Sequence, residues 1–183
     1  MQIFALQQYP DRIQELAEWH QVEWRASGRQ VPIARRIQRL QSHLQTPGLP
    51  NTWLALEGDR LLGSVSLVDY VFHADCIPSA WVANLFVVPR FRGRGLGQHL
   101  LAHAEAVARE TGLQRLYLFT PDQRQFYARR NWQFLHQARV QGQWADVMTK
   151  PMDKQADLPK AIGNPGAKEK TPNLHLASNG VQW

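Results

Sequence analysis

One stretch constrains this chain more than any other: Asn84 to Gln98, N-L-F-V-V-P-R-F-R-G-R-G-L-G-Q. Leu85 to Val88 is an apolar run that reads as a buried strand, and Pro89, which has no N–H to give, ends its ladder. Glycines follow at 93, 95 and 97, after which Leu96, Leu100, Leu101, Ala104, Val107 and Ala108 recur at helical spacing. The pattern is strand, glycine-rich turn, helix. Glycine lets backbone N–H groups approach a ligand without a Cβ between them, and several can point at one anion. The helix adds its own unpaired N–H groups and the positive end of its dipole. Arg90, Arg92 and Arg94 supply charge. Such a unit is a phosphate cradle; the plainer alternative is a strand–helix turn with a solvated basic face.

Spacing narrows the choice of phosphate. A Walker loop ends in Gly-Lys-Ser/Thr, whereas Gly97 is followed by Gln98 and His99. A dinucleotide fingerprint, G-x-G-x-x-G, requires glycine at Leu100 or Leu96. What fits is Arg92-x-x-Gly95-x-Gly97 directly after V-V-P-R-F. This resembles the coenzyme A pyrophosphate loop of the GNAT superfamily, the acyl-CoA-dependent N-acyltransferases. The resemblance implies that Arg92, Gly93, Arg94, Gly95, Leu96, Gly97 and Gln98 hold acetyl-CoA.

A second resembling segment is L-Y-L-F-T-P-D-Q-R-Q-F-Y-A-R-R-N-W, residues 116–132. GNAT proteins often carry F-Y-x-x-x-G-F/W here, and its tyrosine frequently acts as general acid, a role that falls on Tyr127. Asn131 stands where glycine is usual, a mild departure because Asn tolerates a left-handed backbone better than most residues. Gln123 is a candidate pantetheine contact and equally a helix-start residue. The segment also looks like a branch that includes amino-terminal acetyltransferases, too broad a group to give a substrate.

Composition agrees with one globular domain and a tail. The chain has 183 residues, 44% hydrophobic, enough to bury a core. No run approaches the roughly 18 apolar residues of a membrane span, and Met1 to Pro10 lacks a signal-peptide pattern. The single cysteine, Cys76, cannot form an internal disulfide, so a reducing, cytoplasmic setting is the default. The net charge of +6 invites a nucleic-acid reading, yet it is spread along the chain. Residues 154–183 carry Lys154, Lys160, Lys168 and Lys170 against Asp157 and Glu169, and much of the rest lies near the glycine loop and Arg129-Arg130. An acidic cofactor accounts for such a patch as well as RNA does, and no basic stripe with interleaved aromatics argues for a strand of nucleic acid.

In order, Gln2 to Leu6 reads as a first strand. Asp11 is a fair N-cap for a helix with Ile13, Leu16, Ala17 and, less strongly, His20 and Trp24 on one face, closed by Gly28. Ile33, Ile37, Leu40 and Leu44 mark a second helix ended by Pro47-Gly48. In GNAT-like folds this region borders the acceptor cleft, which makes Glu18, Trp19, Glu23, Trp24 and Arg25 candidate contacts; plain packing is the alternative for each. Trp53 to Glu57 and Leu61 to Val71 form a hairpin across Gly58-Asp59, and Trp81 to Val88 leads into the cradle. Gly112 caps the central helix. Arg115 to Phe119 is a strand, Gln123 to Arg130 a short helix, and Trp132 to Val140 with Gln143 to Thr149 a closing hairpin turning at Gly142. The expected fold is α/β (mixed α+β), a central, largely antiparallel sheet of about seven strands with helices on its faces. The order resembles the GNAT fold from about residue 2 to 151. Residues 1–152 are therefore expected to form an N-acetyltransferase domain, and 153–183 a polar, flexible tail.

Amine attack on a thioester needs a polarised carbonyl, a protonated leaving thiolate and an uncharged amine. A backbone N–H near Phe86 or Val87 can meet the oxyanion, and the edge Leu85 to Val87 can bond pantetheine amides as an added strand would. A tyrosine of reference pKa about 10 lies near enough to a thiol at about 8.5 to share its proton. The base is not visible: Asp122, Asp75 and His73 are nearest, and a water chain serves equally. No metal-binding spacing occurs, so no metal is expected. The expected activity is acetyl transfer from acetyl-CoA to a primary amine, on a small molecule or a protein N-terminus, in a ternary complex. A non-catalytic acyl-CoA sensor of the same fold is the alternative. Neither nucleic acid nor membrane is an expected partner, and a homodimer is left open.

Overall fold

The computed structural model describes residues 1–26, 31–44, 48–70, 79–140 and 143–152. Gly28, Pro47, Val71, His73, Asp75, Cys76, Gly142, the tail 153–183 and the side chain of Arg25 lie outside the described residues. The chain runs β1 (Gln2–Ala5), α1 (Ile13–Ala26), α2 (Ile33–Ser42), β2 (Asn51–Glu57), β3 (Arg60–Tyr70), β4 (Ser79–Val87), α3 (Leu96–Glu110), β5 (Arg115–Thr120), α4 (Arg124–Ala128), β6 (Gln133–Val140) and β7 (Gln143–Pro151). This is the expected order. One seven-stranded sheet results, β1-β2-β3-β4-β5-β7-β6, antiparallel except where β5 lies parallel to β4.

Helix periodicity explains the layers. Ile13, Leu16, Ala17 and His20 fall on one face of α1 and all four are buried. Strand alternation then sends Leu54 and Leu56 of β2 towards α1 and α2, and Trp53 and Ala55 towards α3 on the opposite face. Under that second face Leu100, Leu101, Ala104 and Ala108 of α3 pack against Val65, Leu67, Leu116, Leu118 and Met148. Gly112 ends α3 with φ +76°: Leu113 N–H donates to Ala108 O at 2.9 Å and Gly112 N–H to Arg109 O at 3.2 Å, a Schellman closure.

Two local expectations are corrected. Asp11 does not cap α1; it sits inside a 3-10 turn, Pro10–Arg12, whose proline favours the tight start. The short helix α4 spans less than residues 123–130. Gln123 is its N-cap, and after Arg129 the chain turns through Asn131 at φ +64°, the left-handed conformation that Asn accepts.

The cleft originates in β4. Gly63 faces Val87 and Ser64 faces Phe86, yet Ser66 faces Ala83, so β4 holds one extra residue. This β-bulge centres on Asn84, at φ +52°. Asn84 Nδ2 donates to Ser66 Oγ at 2.9 Å, and Ser64 Oγ donates to Asn84 O at 3.1 Å, which fixes the bulge from both sides. Bulges bend a strand, and β4 meets β5 at a single registered pair, Trp81 with Tyr117. Beyond that pair the strands part.

Candidate active site

Between the parted strands lies a cleft of about 690 Å³. Every predicted site residue except Arg94 lines it: Leu85, Phe86 and Val87 on the β4 edge, Arg92 to Gln98 round the glycine turn, Gln123 and Tyr127 opposite. Arg94 is exposed and its guanidinium lies 5.8 Å from the Phe91 ring centroid. Asp122 lines the cleft; Glu18 is exposed, bonded to Gln14, and Trp19 packs on Phe86. Glu23 and Trp24 reach the cleft from α1.

The cradle is built from backbone. Gly93 and Gly95 have φ of +77° and +80°, conformations that L side chains rarely adopt. Gly95 is the N-cap of α3, and the first intrahelical bond runs from His99 N–H to Gly95 O at 3.1 Å. The N–H groups of Leu96, Gly97 and Gln98 therefore have no carbonyl within the helix and open on the cleft. Three N–H groups at the positive end of a fifteen-residue helix suit a pyrophosphate.

Arg92, expected to help hold the co-substrate, lines the cleft and also makes two contacts within the protein. Its Nε donates to Val87 O at 2.9 Å and its Nη2 to Glu23 Oε2 at 2.8 Å, which ties α1 to the end of β4. Arg130, which the sequence signalled only as part of a basic pair, also stands at the cradle. Its Nη1 donates to Phe126 O at 2.6 Å, its Nη2 to Gln98 Oε1 at 3.0 Å, and its guanidinium lies 3.8 Å from the Phe126 ring centroid.

One end of the cleft has an aromatic wall: Trp81 stacks on Phe119 at 4.4 Å and on Tyr117 at 5.2 Å between centroids. Tyr127 is buried, edge-on to Phe126 and near Trp132. Burial, and then the Asp122 carboxylate, push its hydroxyl well above the usual phenol range. The phenol thus stays protonated throughout the physiological range. Gln123 O accepts from Phe126 and Tyr127 N–H, and Gln123 N–H donates to Thr120 Oγ1 at 2.9 Å, so its backbone starts α4 while its side chain faces the cleft.

A second cavity, about 250 Å³, adjoins through the shared residues Trp24 and Asn84. It lies between α1, α2 and the sheet, lined by His20, Arg36, Arg39, His43 and Asp69 among others. Burial, then the Arg36 charge, lowers His20 to about 3; burial, then Arg39, lowers His43 to about 4. Both imidazoles are neutral at pH 7. His20 Nε2 lies 3.0 Å from Ser64 Oγ, and His43 Nδ1 2.7 Å from Thr52 Oγ1, itself 2.7 Å from Ser66 Oγ. Among the described residues no group of three or more His, Cys, Asp or Glu side chains is placed to hold a metal, and no helix is long and apolar enough to cross a membrane.

A strand that ends in a glycine cradle, beside a split sheet, defines an acyl-CoA-type site. Residues 13–134 match the sequence model of the acetyltransferase (GNAT) family, and the chain belongs to that family. It is an acetyltransferase with acetyl-CoA as co-substrate. No curated protein matches the chain. Among solved structures it is similar to an aminoglycoside 6'-N-acetyltransferase complexed with coenzyme A (14% identity, 86% of this chain and 100% of that one, TM-score 0.68). It is similar also to YncA of Salmonella typhimurium with its cofactor acetyl-CoA (19%, 88% and 99%, TM-score 0.63). A third is N-acetylglutamate synthase from Neisseria gonorrhoeae with coenzyme A and N-acetyl-glutamate (18%, 84% and 36%, TM-score 0.63). At these identities the likeness is one of fold.

Proposed function

We propose that the protein acetylates a primary amine, on a small molecule or a protein N-terminus, by direct attack in a ternary complex. The observation that carries this reading is that the cradle and Tyr127 share the large cleft, with a smaller cavity next to it across Trp24 and Asn84. Acetyl-CoA supplies the activated acetyl group as a thioester. The amine nitrogen bonds to its carbonyl carbon, the carbon–sulfur bond breaks, and a proton from the nitrogen ends on the sulfur.

Each role falls to a residue of this chain. Leu96, Gly97 and Gln98 N–H, with Arg130 beside them, hold the pyrophosphate. Val88 N–H donates to Leu62 O on β3 at 2.9 Å, and by strand alternation the Val87 N–H faces away from β3, into the cleft. It is the donor for the oxyanion. The β4 edge at Leu85 pairs with the pantetheine amides, and Gln123 meets them from the other wall. Tyr127, held protonated, donates to the departing sulfur. The amine loses its proton to Asp122 or to water in the cleft. Aminoglycoside and glutamate, the acceptors named for two structural neighbours, are both amines but of opposite charge; fold alone leaves the acceptor open.

Calorimetric titration of acetyl-CoA, with dephospho- and desulfo-CoA as comparisons, tests the cradle, and a free-thiol assay with an amine panel tests the transfer. Phosphate-dependent binding and amine-dependent thiol release are expected; absence of binding overturns the reading. Tyr127→Phe should bind acetyl-CoA as the wild type does and lose about 100-fold or more in kcat. Full turnover in that variant would assign the proton to another group.

A further inference from the structure

We infer that Arg130 is a positioning residue: it gives up its bond to Gln98 for a phosphate of the co-substrate, and that exchange sets Tyr127 against the thioester. The inference rests on the acetyl-transfer reading above, with Tyr127 as its proton donor, and adds how the far end of acetyl-CoA acts on the reacting end.

The sequence puts this residue where two helices meet. Arg130 lies two positions beyond α4 and three beyond Tyr127, so its side chain leaves from the end of the helix that carries the acid. Its backbone N–H donates to Tyr127 O at 2.8 Å. Its guanidinium folds back over the same helix: Nη1 donates to Phe126 O at 2.6 Å, and the fork lies 3.8 Å from the Phe126 ring centroid. A further contact crosses to the first turn of α3, where Nη2 donates to Gln98 Oε1 at 3.0 Å. Phe126 reaches that turn too, since a Cβ built on Gly97 would stand 3.7 Å from its Cζ. With five residues, α4 is too short to be held by its own hydrogen bonds, so contacts of this kind decide where it sits.

The partners of the guanidinium are unequal. Phe126 O and the Phe126 ring belong to α4. Gln98 Oε1 is a neutral acceptor on an exposed residue whose N–H forms part of the cradle. A phosphate seated on the Leu96, Gly97 and Gln98 N–H groups comes beside that oxygen, and a hydrogen bond to an ionised acceptor is about twice as strong as one to a neutral acceptor. The planar fork also matches phosphate geometry. Arg130 Nε is buried with no hydrogen-bond partner, and none of the ion pairs among the described residues includes Arg130. The phosphate therefore displaces Gln98. Because Nη1 stays on Phe126 O, whatever draws the guanidinium draws α4, and Tyr127 with it. The charge already reaches the phenol: after burial and Asp122, which raise the Tyr127 pKa, Arg130 acts in the opposite direction. A remote part of a substrate that works in this way raises kcat rather than affinity alone.

The test is a double-mutant cycle on the full-length protein, read as kcat for thiol release at saturating acetyl-CoA. Arg130→Gln should lower kcat by about tenfold or more in the otherwise unchanged protein, and by less than about twofold in Tyr127→Phe. S-acetylpantetheine, which keeps the thioester and lacks every phosphate, should give the wild type a kcat about tenfold or more below that of acetyl-CoA. Arg130→Lys is the second variant should Arg130→Gln fail to fold. Its ammonium keeps the charge and acetyl-CoA affinity within about threefold, yet it should lose kcat as Gln does, because a point charge lacks the fork's fixed geometry. A loss confined to acetyl-CoA affinity, an equal fall of kcat in both backgrounds, or equal kcat with the two donors would each overturn the inference and leave acetyl transfer standing. Full turnover by Tyr127→Phe would instead remove the acid on which it rests. No thiol release with any amine, despite acetyl-CoA binding, would overturn the transfer reading itself.

Discussion

Two buried polar clusters lie on opposite faces of the same sheet and are built on opposite principles. On the α3 face, Glu105 is 6% exposed and is saturated with partners. Lys150 Nζ donates to Oε2 at 2.6 Å, Arg109 Nη2 to the same oxygen at 3.3 Å, and Trp132 Nε1 to Oε1 at 2.9 Å. On the α1–α2 face, His20, His43, Thr52, Ser64, Ser66 and Asn84 form an uncharged hydrogen-bonded set beside two arginines and an open cavity. The first cluster gathers two cations and an indole N–H on one carboxylate and joins α3 to β7 and to the residue just before β6. The second joins α1 and the residue that follows α2 to the sheet through neutral groups, beside a cavity of about 250 Å³. Charge pairing holds the first cluster; a chain of neutral hydrogen bonds holds the second.

The largest effect that could break this division is Glu105→Ala. Removing the carboxylate leaves Lys150 and the Trp132 N–H without it, at a cost of about 3 kcal/mol in urea-denaturation stability. Acetyl-CoA affinity at 25 °C should be unchanged, and a variant that kept stability but lost the co-substrate would reverse the roles of the two clusters. Acid comes next and strikes the other cluster. Both histidines have folded pKa values below their unfolded value of 6.5, so the unfolded chain binds more protons below that pH. Stability is fully present above pH 6.5 and is lost as pH falls from 6.5 towards about 4 for His43 and about 3 for His20. Each fully coupled group gives about 1.4 kcal/mol per pH unit, so thermal or urea midpoints at pH 7 and 5.5 should differ by about 2 to 3 kcal/mol. A flat profile would show that these imidazoles are not held neutral.

Asn84→Ala is expected to cost about 1 to 2 kcal/mol, by removing the bond to Ser66 and placing alanine, which tolerates a left-handed backbone less well than asparagine, at φ +52°. It sharpens the comparison because the bulge also shapes both cavities: the acceptor KM should rise more than the acetyl-CoA Kd. The smallest effect is a control outside either cluster. Asn131→Gly, at φ +64°, should gain a few tenths of a kcal/mol with no change in kinetics.

Much of this was legible before any coordinates, wherever short-range rules decide. The strand, glycine turn and helix around Asn84 to Gln98 follow from spacing, Gly112 from capping chemistry, and Asn131 from its tolerance of a left-handed backbone. What was hidden depends on contacts far apart in sequence. Arg92 reads only as a co-substrate contact, and its bond to Glu23, far back in the chain, needs the fold to be seen. His20 reads as a weaker member of an apolar helix face, and nothing in the spacing singles out Arg36 or Glu105. Only packing shows that each lands in a polar cluster. The bulge at Asn84 leaves no mark at all, since Asn there gives no more turn signal than any asparagine in a strand. Nor does a tyrosine in a motif disclose that burial and Asp122 raise its pKa.

The single rung between β4 and β5 has a mechanical side. The sheet is two plates, β1 to β4 and β5 to β7, touching at Trp81 and Tyr117. Hydrogen bonds across that seam carry almost no load. The load passes instead through side chains: Leu100, Leu101, Ala104 and Ala108 of α3, in the same core as β3 on one plate and β5 on the other, and Val68 and Trp81 packed with Tyr117, Phe119 and Val147. A co-substrate lodged in the seam would act as a second brace beside that helix. The opening that admits it is also the line along which the molecule, pulled from its two ends, would tear.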